Sequence, residues 1–383
     1  MRQYHQFYID GKWVAPVRSG TLCHVINPAT EEVAGSILLG DEADVDRAVE
    51  AAHRAFASYS LTPLSQRLEL LSAVAAEYEK RIDDIAAAVS EEMGAPFYTL
   101  AKPVQAPIGL WHLRTALAIA KDYAWEKQQG STLLVKEPIG VCALITPWNW
   151  PLNQIACKVA PALVSGCTMV LKPSELAPFS AQVFAEVMHA AGVPAGVFNL
   201  IFGDGAAIGP HMSSHPLVDM VSLTGSTRAG ASVAKNAADT IKVVSLELGG
   251  KSANVILDDA PLTEAITAGV IGMMGNTGQS CNAPSRMLVP AAKLAEAEQI
   301  AAAVVAQLKV GDPQDAATNI GPIANERQYR RVQAMIQTGI DEGAKLVAGG
   351  VGRPDGLTRG YFAKPTVFSA ANNTLCKIGR AHV

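Results

Sequence analysis

Of the six cysteines in the chain, one stands in a setting suited to covalent chemistry. In GNTGQSC, Cys281 follows two glycines and two small polar residues at the end of an apolar helical stretch. A cysteine is more often an inert core residue, but a glycine-rich approach lets the backbone turn sharply and present both the thiol and its own N–H to a ligand. A thiol with a lowered pKa becomes a thiolate that attacks a carbonyl carbon. A carboxylate comes earlier. SLELGGK sets Glu247 after a strand-like run from Val243, and Gly249 and Gly250 oppose the helix that a simple surface pair with Lys251 would need. Between Leu246 and Leu248 this carboxylate is expected to be partly desolvated, and so raised toward the pKa of a general base. In ITPWNWP, Asn149 lies between two tryptophans and two prolines. The plain reading is a rigid turn with aromatic core residues. The chemical one is an amide donor fixed where negative charge develops on a substrate oxygen, worth roughly 2.7–4 kcal/mol of transition-state stabilisation.

Two further motifs suit a nucleotide. LKPSE follows a strand, and Ser174 there is a candidate helix N-cap. Lys172 and Glu175 also have the chemistry to grip the two hydroxyls of a ribose, and a carboxylate favours NAD because it repels the extra phosphate of NADP. LTGSTRAG, after the strand MVSLT, offers Gly225 and Gly230 at a strand-to-helix turn. It departs from the usual G-x-G-x-x-G, yet a helix N-terminus with Ser226 is suited to a pyrophosphate.

These residues need elements to position them. After a short strand-and-turn opening (YIDGKW, NPATEE), residues 42–58 and 65–93 carry apolar positions at helical spacing, ended by Gly94 and Pro96. From residue 141 short β-rich runs take over: VCALITP, CTMVLKP, VFNLIF and MVSLTG, with helix-like segments between them. Buried apolar strands separated by helices imply parallel βαβ units, with a ligand at the strands' carboxyl ends. A hairpin-like stretch occupies 123–138, and a second strand–helix series starts near 251.

Composition narrows the partners. The 383 residues are 49% apolar and 17% charged, which is globular and long enough for two or three domains. A net charge of -4 gives no electrostatic reason to expect nucleic acid or anionic lipid. Cysteines 23, 142, 157, 167, 281 and 376 have neither disulfide-framework nor zinc-site spacing, so free thiols and no metal are expected. The first residues lack a signal-peptide pattern and no apolar run is long enough for a membrane span, which leads us to expect a soluble, cytoplasmic protein.

PWN, KPSE, TGS, ELGGK and GQSC, in that order, together resemble the aldehyde dehydrogenase superfamily. Glu247 and Cys281 stand 34 positions apart (281 minus 247), as expected in that family. The similarity runs from FYIDGKW to KPTVF at 364–368. The resemblance implies an α/β fold with a Rossmann-type cofactor domain (1–122 and 141–249), a small β-hairpin oligomerisation element (123–140) and an α/β catalytic domain (250–376), assembled as a homodimer or homotetramer. It implies NAD-dependent oxidation of an aldehyde to a carboxylic acid. Cys281 forms a thiohemiacetal held by Asn149 and its own N–H, hydride leaves for the nicotinamide, and Glu247 activates water to cleave the thioester. Lys158 matches a family lysine with an electrostatic or proton-transfer role. Lys172, Ser174 and Glu175 are implied at the adenosine end, and Gly225 and Ser226 at the phosphates. Ile145, Thr146, Pro147, Trp148, Gly205, Leu248 and Gly249 complete the implied cofactor contacts. Trp150, Gln154, Cys157, Ser280 and Asn282 are implied to line the substrate tunnel. The polar members among them favour an aldehyde with a second polar group, such as a semialdehyde.

The chain departs from the family at its end. Members are longer and carry an acidic EIFGP segment, whose glutamate grips the nicotinamide ribose, shortly after the position of Leu375. Here the sequence ends CKIGRAHV. The last seven residues, 377–383, match one frame of a common sequencing-library adapter, so a truncated catalytic domain with a non-native tail is expected. Two alternatives remain: a relative that passes the thioester to coenzyme A, against which Glu247 argues, and an NAD-binding fragment left inactive by truncation.

Overall fold

Short strands and long helices alternate from the first residues. Strands β1 (Arg2–Tyr4), β2 (Phe7–Ile9), β3 (Lys12–Val14), β4 (Thr21–Asn27) and β5 (Glu32–Leu39) precede helices α1 (Glu42–Tyr59), α2 (Leu64–Lys80) and α3 (Ile82–Met93). The structure, a computed structural model, describes residues 1–369, so Cys376 and the expected tail at 377–383 lie outside the described residues. Asp41 starts α1 with a capping box: its carboxylate accepts the Ala43 N–H while Asp44 accepts the Asp41 N–H. The helical periodicity over 65–93 resolves into two helices. Arg81 leaves helical geometry at φ -109°, ψ 10°, and its guanidinium bonds Asp84 and Glu186. A π-helical stretch, Phe97–Gln105, leads into α4 (Ala106–Asp122).

The hairpin expected in the middle of the chain is present, as β6 (Glu126–Gln129) and β7 (Thr132–Val135), antiparallel with Glu126 opposite Val135. Every residue of both strands is exposed.

The βαβ series then begins: β8 (Val141–Ile145), α5 (Pro151–Ser165), β9 (Thr168–Lys172), α6 (Pro178–Ala190), β10 (Phe198–Leu200), α7 (Gly205–Ser214), β11 (Met220–Gly225), α8 (Thr227–Ala238) and β12 (Val243–Leu248). The sheet order is β12-β11-β8-β9-β10-β2-β3, with β11, β8, β9 and β10 parallel. All residues of β8, β9 and β10 are buried, as strands covered on both faces require. Glycine is required just before β8: at φ +128° a Cβ on Gly140 would fall 1.9 Å from the Asp219 carboxylate that accepts the Val141 N–H. From β8 the chain winds outward through β9 and β10, then returns to lay β11 on the other side of β8. The switch point therefore lies at the carboxyl ends of β8 and β11.

Beyond β12 come β13 (Ala253–Val255), α9 (Leu262–Met274), β14 (Arg286–Leu288), α10 (Leu294–Gln307), α11 (Glu326–Asp341), β15 (Lys345–Ala348) and β16 (Val367–Ser369). β13 and β14 pair in parallel, and β15 and β16 antiparallel. Two units emerge. One comprises Met1–Val25, Val33–Val89 and Lys102–Glu247; the other comprises Ile26–Glu32, Ser90–Ala101 and the chain from Leu248. The second has its own core, in which Ile266, Val270 and Met274 of α9 pack with Ala297, Ala301 and Val304 of α10. No helix among the described residues is long and apolar enough to cross a membrane.

Candidate active site

In the first unit the reactive side chains gather where β8 hands over to α5. Ile145, Thr146, Trp148 and Asn149 are buried there, with Pro147 and Trp150 half-buried; Asn149 is only 3% exposed. Pro151 opens α5 with its preset φ, so the turn needs no side-chain cap. One turn on, Gln154 and Lys158 stand four residues apart and share a helix face. Ser222 and Thr224 stand two apart on β11 and share a strand face. These faces meet in register. Lys158 Nζ donates to Ser222 Oγ at 2.8 Å, and Thr224 Oγ1 donates to Gln154 Oε1 at 2.9 Å. The Cys157 thiol, half-buried, donates to the Gln154 carbonyl oxygen at 3.5 Å. Burial pulls the Lys158 ammonium below the ordinary lysine range, while Cys157 and Glu247 pull it back up. Burial pushes the Cys157 thiol up, Lys158 lowers it and Glu247 raises it. Glu247 is thus within electrostatic reach of both. It is also exposed, contrary to the expected desolvation. Neighbours along a strand point to opposite faces, so Leu246 and Leu248 turn away from Glu247 and do not cover it.

The strand ends at the switch point and beside it carry the nucleotide-type residues. Lys172 is 3% exposed at the end of β9, its Nζ 3.6 Å from Glu175. Burial lowers its pKa, with Glu175 and Asp204 opposing. Gly205 opens α7 close by: a Cβ there would meet Lys172 Nζ at 3.1 Å. Ser174 is not a helix N-cap. It closes an intervening turn by accepting the Leu176 N–H, and α6 begins only at Pro178, whose ring fits the first helical position. Ser226 does cap α8, accepting the Ala229 N–H, and a Cβ on Gly225 would touch only Leu223, at 3.8 Å. The hydroxyls of Thr146, directly after β8, and Thr227, the first residue of α8, are buried without a hydrogen-bond partner. A helix N-terminus, an open glycine, two orphaned hydroxyls and a buried amine beside a carboxylate fit a dinucleotide's phosphates and ribose.

Cys281 stands on the second unit. Apolar α9 ends at Met274, and the chain turns through Asn276, Thr277 and Gly278, all with positive φ (54°, 58° and 70°). The expected sharp turn is therefore made largely by two non-glycine residues. A β-branched Thr277 at φ 58° stores strain of about 1–3 kcal/mol. Gln279, buried in the same loop, was assigned no role by motif. Its Oε1 accepts the Ala324 N–H at 2.9 Å and its Nε2 donates to the Asn276 carbonyl at 3.2 Å. Cys281 and Ser280 are half-buried and Asn282 is exposed. On the same unit Leu248 is half-buried and Gly249 buried, and a Cβ on Gly250 would lie 3.3 Å from the Cys281 carbonyl.

Sequence motifs also did not mark Ser222, Thr224 or a group formed by Asp46, His211 and His215, which converge with metal-ligand spacing. The hydrogen bonds account for this group. His215 Nδ1 accepts the Leu217 N–H, which puts the neutral ring's proton on Nε2, 3.3 Å from Asp46; His211 Nε2 lies 2.6 Å from the same oxygen. A cation on His215 Nε2 would need a proton on Nδ1, pointed at the Leu217 N–H. The five described cysteines are free thiols.

A family model described as "Aldehyde dehydrogenase family" matches residues 13–377. The chain belongs to the aldehyde dehydrogenase family. This aldehyde dehydrogenase is 59% identical over 375 residues to the 3-succinoylsemialdehyde-pyridine dehydrogenase of a Pseudomonas species, covering 98% of this chain and 78% of that relative. Its fold matches aldehyde dehydrogenase C of Pseudomonas syringae, a cysteine-to-alanine mutant solved with NAD+ and octanal, at a TM-score of 0.96 and 50% identity; 98% of this chain and 77% of that one are covered. The aldehyde dehydrogenase of Bartonella henselae gives the same TM-score at 45% identity, with 98% and 79% covered. The architecture is therefore the aldehyde dehydrogenase fold, and aldehyde oxidation is the general reaction of the family.

Proposed function

We propose that this aldehyde dehydrogenase uses NAD to oxidise an aldehyde bearing a second polar group to its carboxylic acid, with hydrolysis of a thioester as the closing step. The Cys281 thiolate adds to the carbonyl carbon, and the amide of Asn149 and the Cys281 N–H donate to the oxyanion of the resulting thiohemiacetal. When bound, NAD supplies the acceptor for the hydrogen and electron pair that this carbon gives up. Glu247 takes a proton from water as the water oxygen adds to the thioester carbonyl, and Cys281 leaves as a thiolate. Lys158, held by Ser222, offers a partly desolvated amine whose proton is easier to release than an ordinary lysine's. Lys172 and Glu175 are assigned to the adenosine ribose. Gly225, Ser226 and the α8 N-terminus are assigned to the phosphates together with Thr146, and Gly205 to the cofactor beside Lys172.

The observation that carries the hydrolytic reading is Glu247: a water-accessible carboxylate at the end of β12, in electrostatic reach of Lys158 and Cys157. Transfer to coenzyme A needs no such base. The polar Gln154 and the semialdehyde named for the 59%-identical relative support the substrate class. The octanal bound by the Pseudomonas syringae protein favours a second reading, a medium-chain alkyl aldehyde. The deciding experiment follows NADH from a panel of both aldehyde types, with and without coenzyme A. It uses this chain, the chain extended by the remainder of its relatives, and Cys281→Ala in each. Acid as the product, a semialdehyde as the best substrate and loss of turnover in Cys281→Ala are expected; acyl-CoA as the product would overturn the hydrolytic step. The exposed hairpin supports assembly as a homodimer or homotetramer through β6 and β7, and free thiols suit a reducing cytoplasm.

A further inference from the structure

The polar register between α5 and β11 gives the Gln154 amide a handedness. Thr224 Oγ1 donates to Gln154 Oε1 at 2.9 Å, and the Cys157 sulfur lies 3.9 Å from the same oxygen. In that bond the Thr224 hydroxyl is the donor and the amide oxygen the acceptor, so β11 engages the carbonyl end of the side chain. Thr224 is itself buried, 6% exposed, which keeps its hydroxyl in place. A carboxamide has one accepting and one donating end. With Oε1 engaged by β11, the Nε2 N–H pair is the end left for a ligand, on a half-buried side chain in the first turn of α5, five residues after Asn149.

We propose that Thr224 fixes Gln154 with its N–H groups toward the substrate, so that the enzyme selects aldehydes whose second polar group is a hydrogen-bond acceptor (a ketone, a carboxylate or a ring nitrogen) over those carrying a cation or no polar group. This rests on the reading that Gln154 lines the aldehyde passage. Thr224 is a positioning residue that acts through Gln154, and together they set specificity rather than chemistry.

The test compares 4-oxopentanal with pentanal, which differ by one ketone, and succinic semialdehyde with 4-(trimethylammonio)butanal, which differ in charge. A neutral hydrogen bond of about 1 kcal/mol gives kcat/KM for 4-oxopentanal about five-fold above pentanal. Gln154→Leu brings that ratio to near one. Gln154→Glu, similar in size but accepting only, turns the charged pair over in favour of the cation. Thr224→Val frees the amide to flip and lowers the ratio, whereas Thr224→Ser keeps it. A ratio unchanged in Gln154→Leu, a carboxylate preference surviving in Gln154→Glu, or a Thr224→Val ratio equal to that of the unmodified enzyme overturns the proposal while leaving a working dehydrogenase. Oxidation of octanal but of none of the four aldehydes by the unmodified enzyme overturns the reading of a polar aldehyde as substrate, and this inference with it. Should Gln154→Leu fail to fold, the near-isosteric Gln154→Glu still decides.

Discussion

Asn149 sits between Pro147 and Pro151 and is 3% exposed, so truncating it removes an amide from a turn that the prolines continue to hold. Asn149→Ala should lower kcat by about 10²–10³-fold with a much smaller change in KM, as loss of one oxyanion donor does. Glu247→Gln should slow turnover by about 10²–10⁴-fold, the usual worth of a general base. It should also let the acyl-enzyme build up on Cys281, visible as a mass increase after mixing with aldehyde and NAD; a slow variant with no added mass would move Glu247 out of the hydrolytic step. Residue types and motif order made these candidates legible. Environment was not legible: the leucines flanking Glu247 suggested burial, and strand alternation leaves it exposed.

Where α7 and the residue after it pack near α1, two histidines share one carboxylate. Asp46 takes both His211 and His215, and His215 is buried. Burial holds the His215 imidazole below its ordinary value of 6.5, with Asp46 acting in the opposite direction. The folded chain therefore binds fewer protons here than the unfolded chain. Stability is fully present above the unfolded value and is lost as pH falls through it toward the lower folded one. The thermal midpoint should drop between about pH 7 and pH 5.5, with a shallower slope in His215→Gln; an equal slope in the variant would assign the pH dependence to other groups. On the second unit, Gln279→Ala leaves the Ala324 N–H without its partner. It should cost roughly 1–3 kcal/mol in denaturant unfolding and change the alkylation rate of Cys281. Neither device was readable beforehand. Both depend on residues more than forty positions apart, and no local periodicity encodes such pairing.

Over the whole molecule, the clearest exposed apolar group is the hairpin. Leu133, Leu134 and Val135 are about half exposed, and a lone two-stranded hairpin has little stability of its own. Leu133→Lys with Leu134→Glu should shift the assembled protein toward monomer in light scattering while scarcely moving the monomer's thermal midpoint, since these side chains add little to its core. An unchanged mass would send the subunit contact elsewhere. The sequence by itself determined the class of fold, the order of the βαβ units and which residues stand as candidates for nucleophile, base and oxyanion donor. Those follow from apolar periodicity, glycine and proline at turns, and reactive side chains at fixed places in motifs, all of which are local. Tertiary structure alone decided that β11 returns beside β8, that residues 26–32 and 90–101 join the second unit, and that Ser222 and Thr224 hold Lys158 and Gln154. Each of these is a pairing between distant segments, set by which buried faces and hydrogen bonds match after the chain has folded.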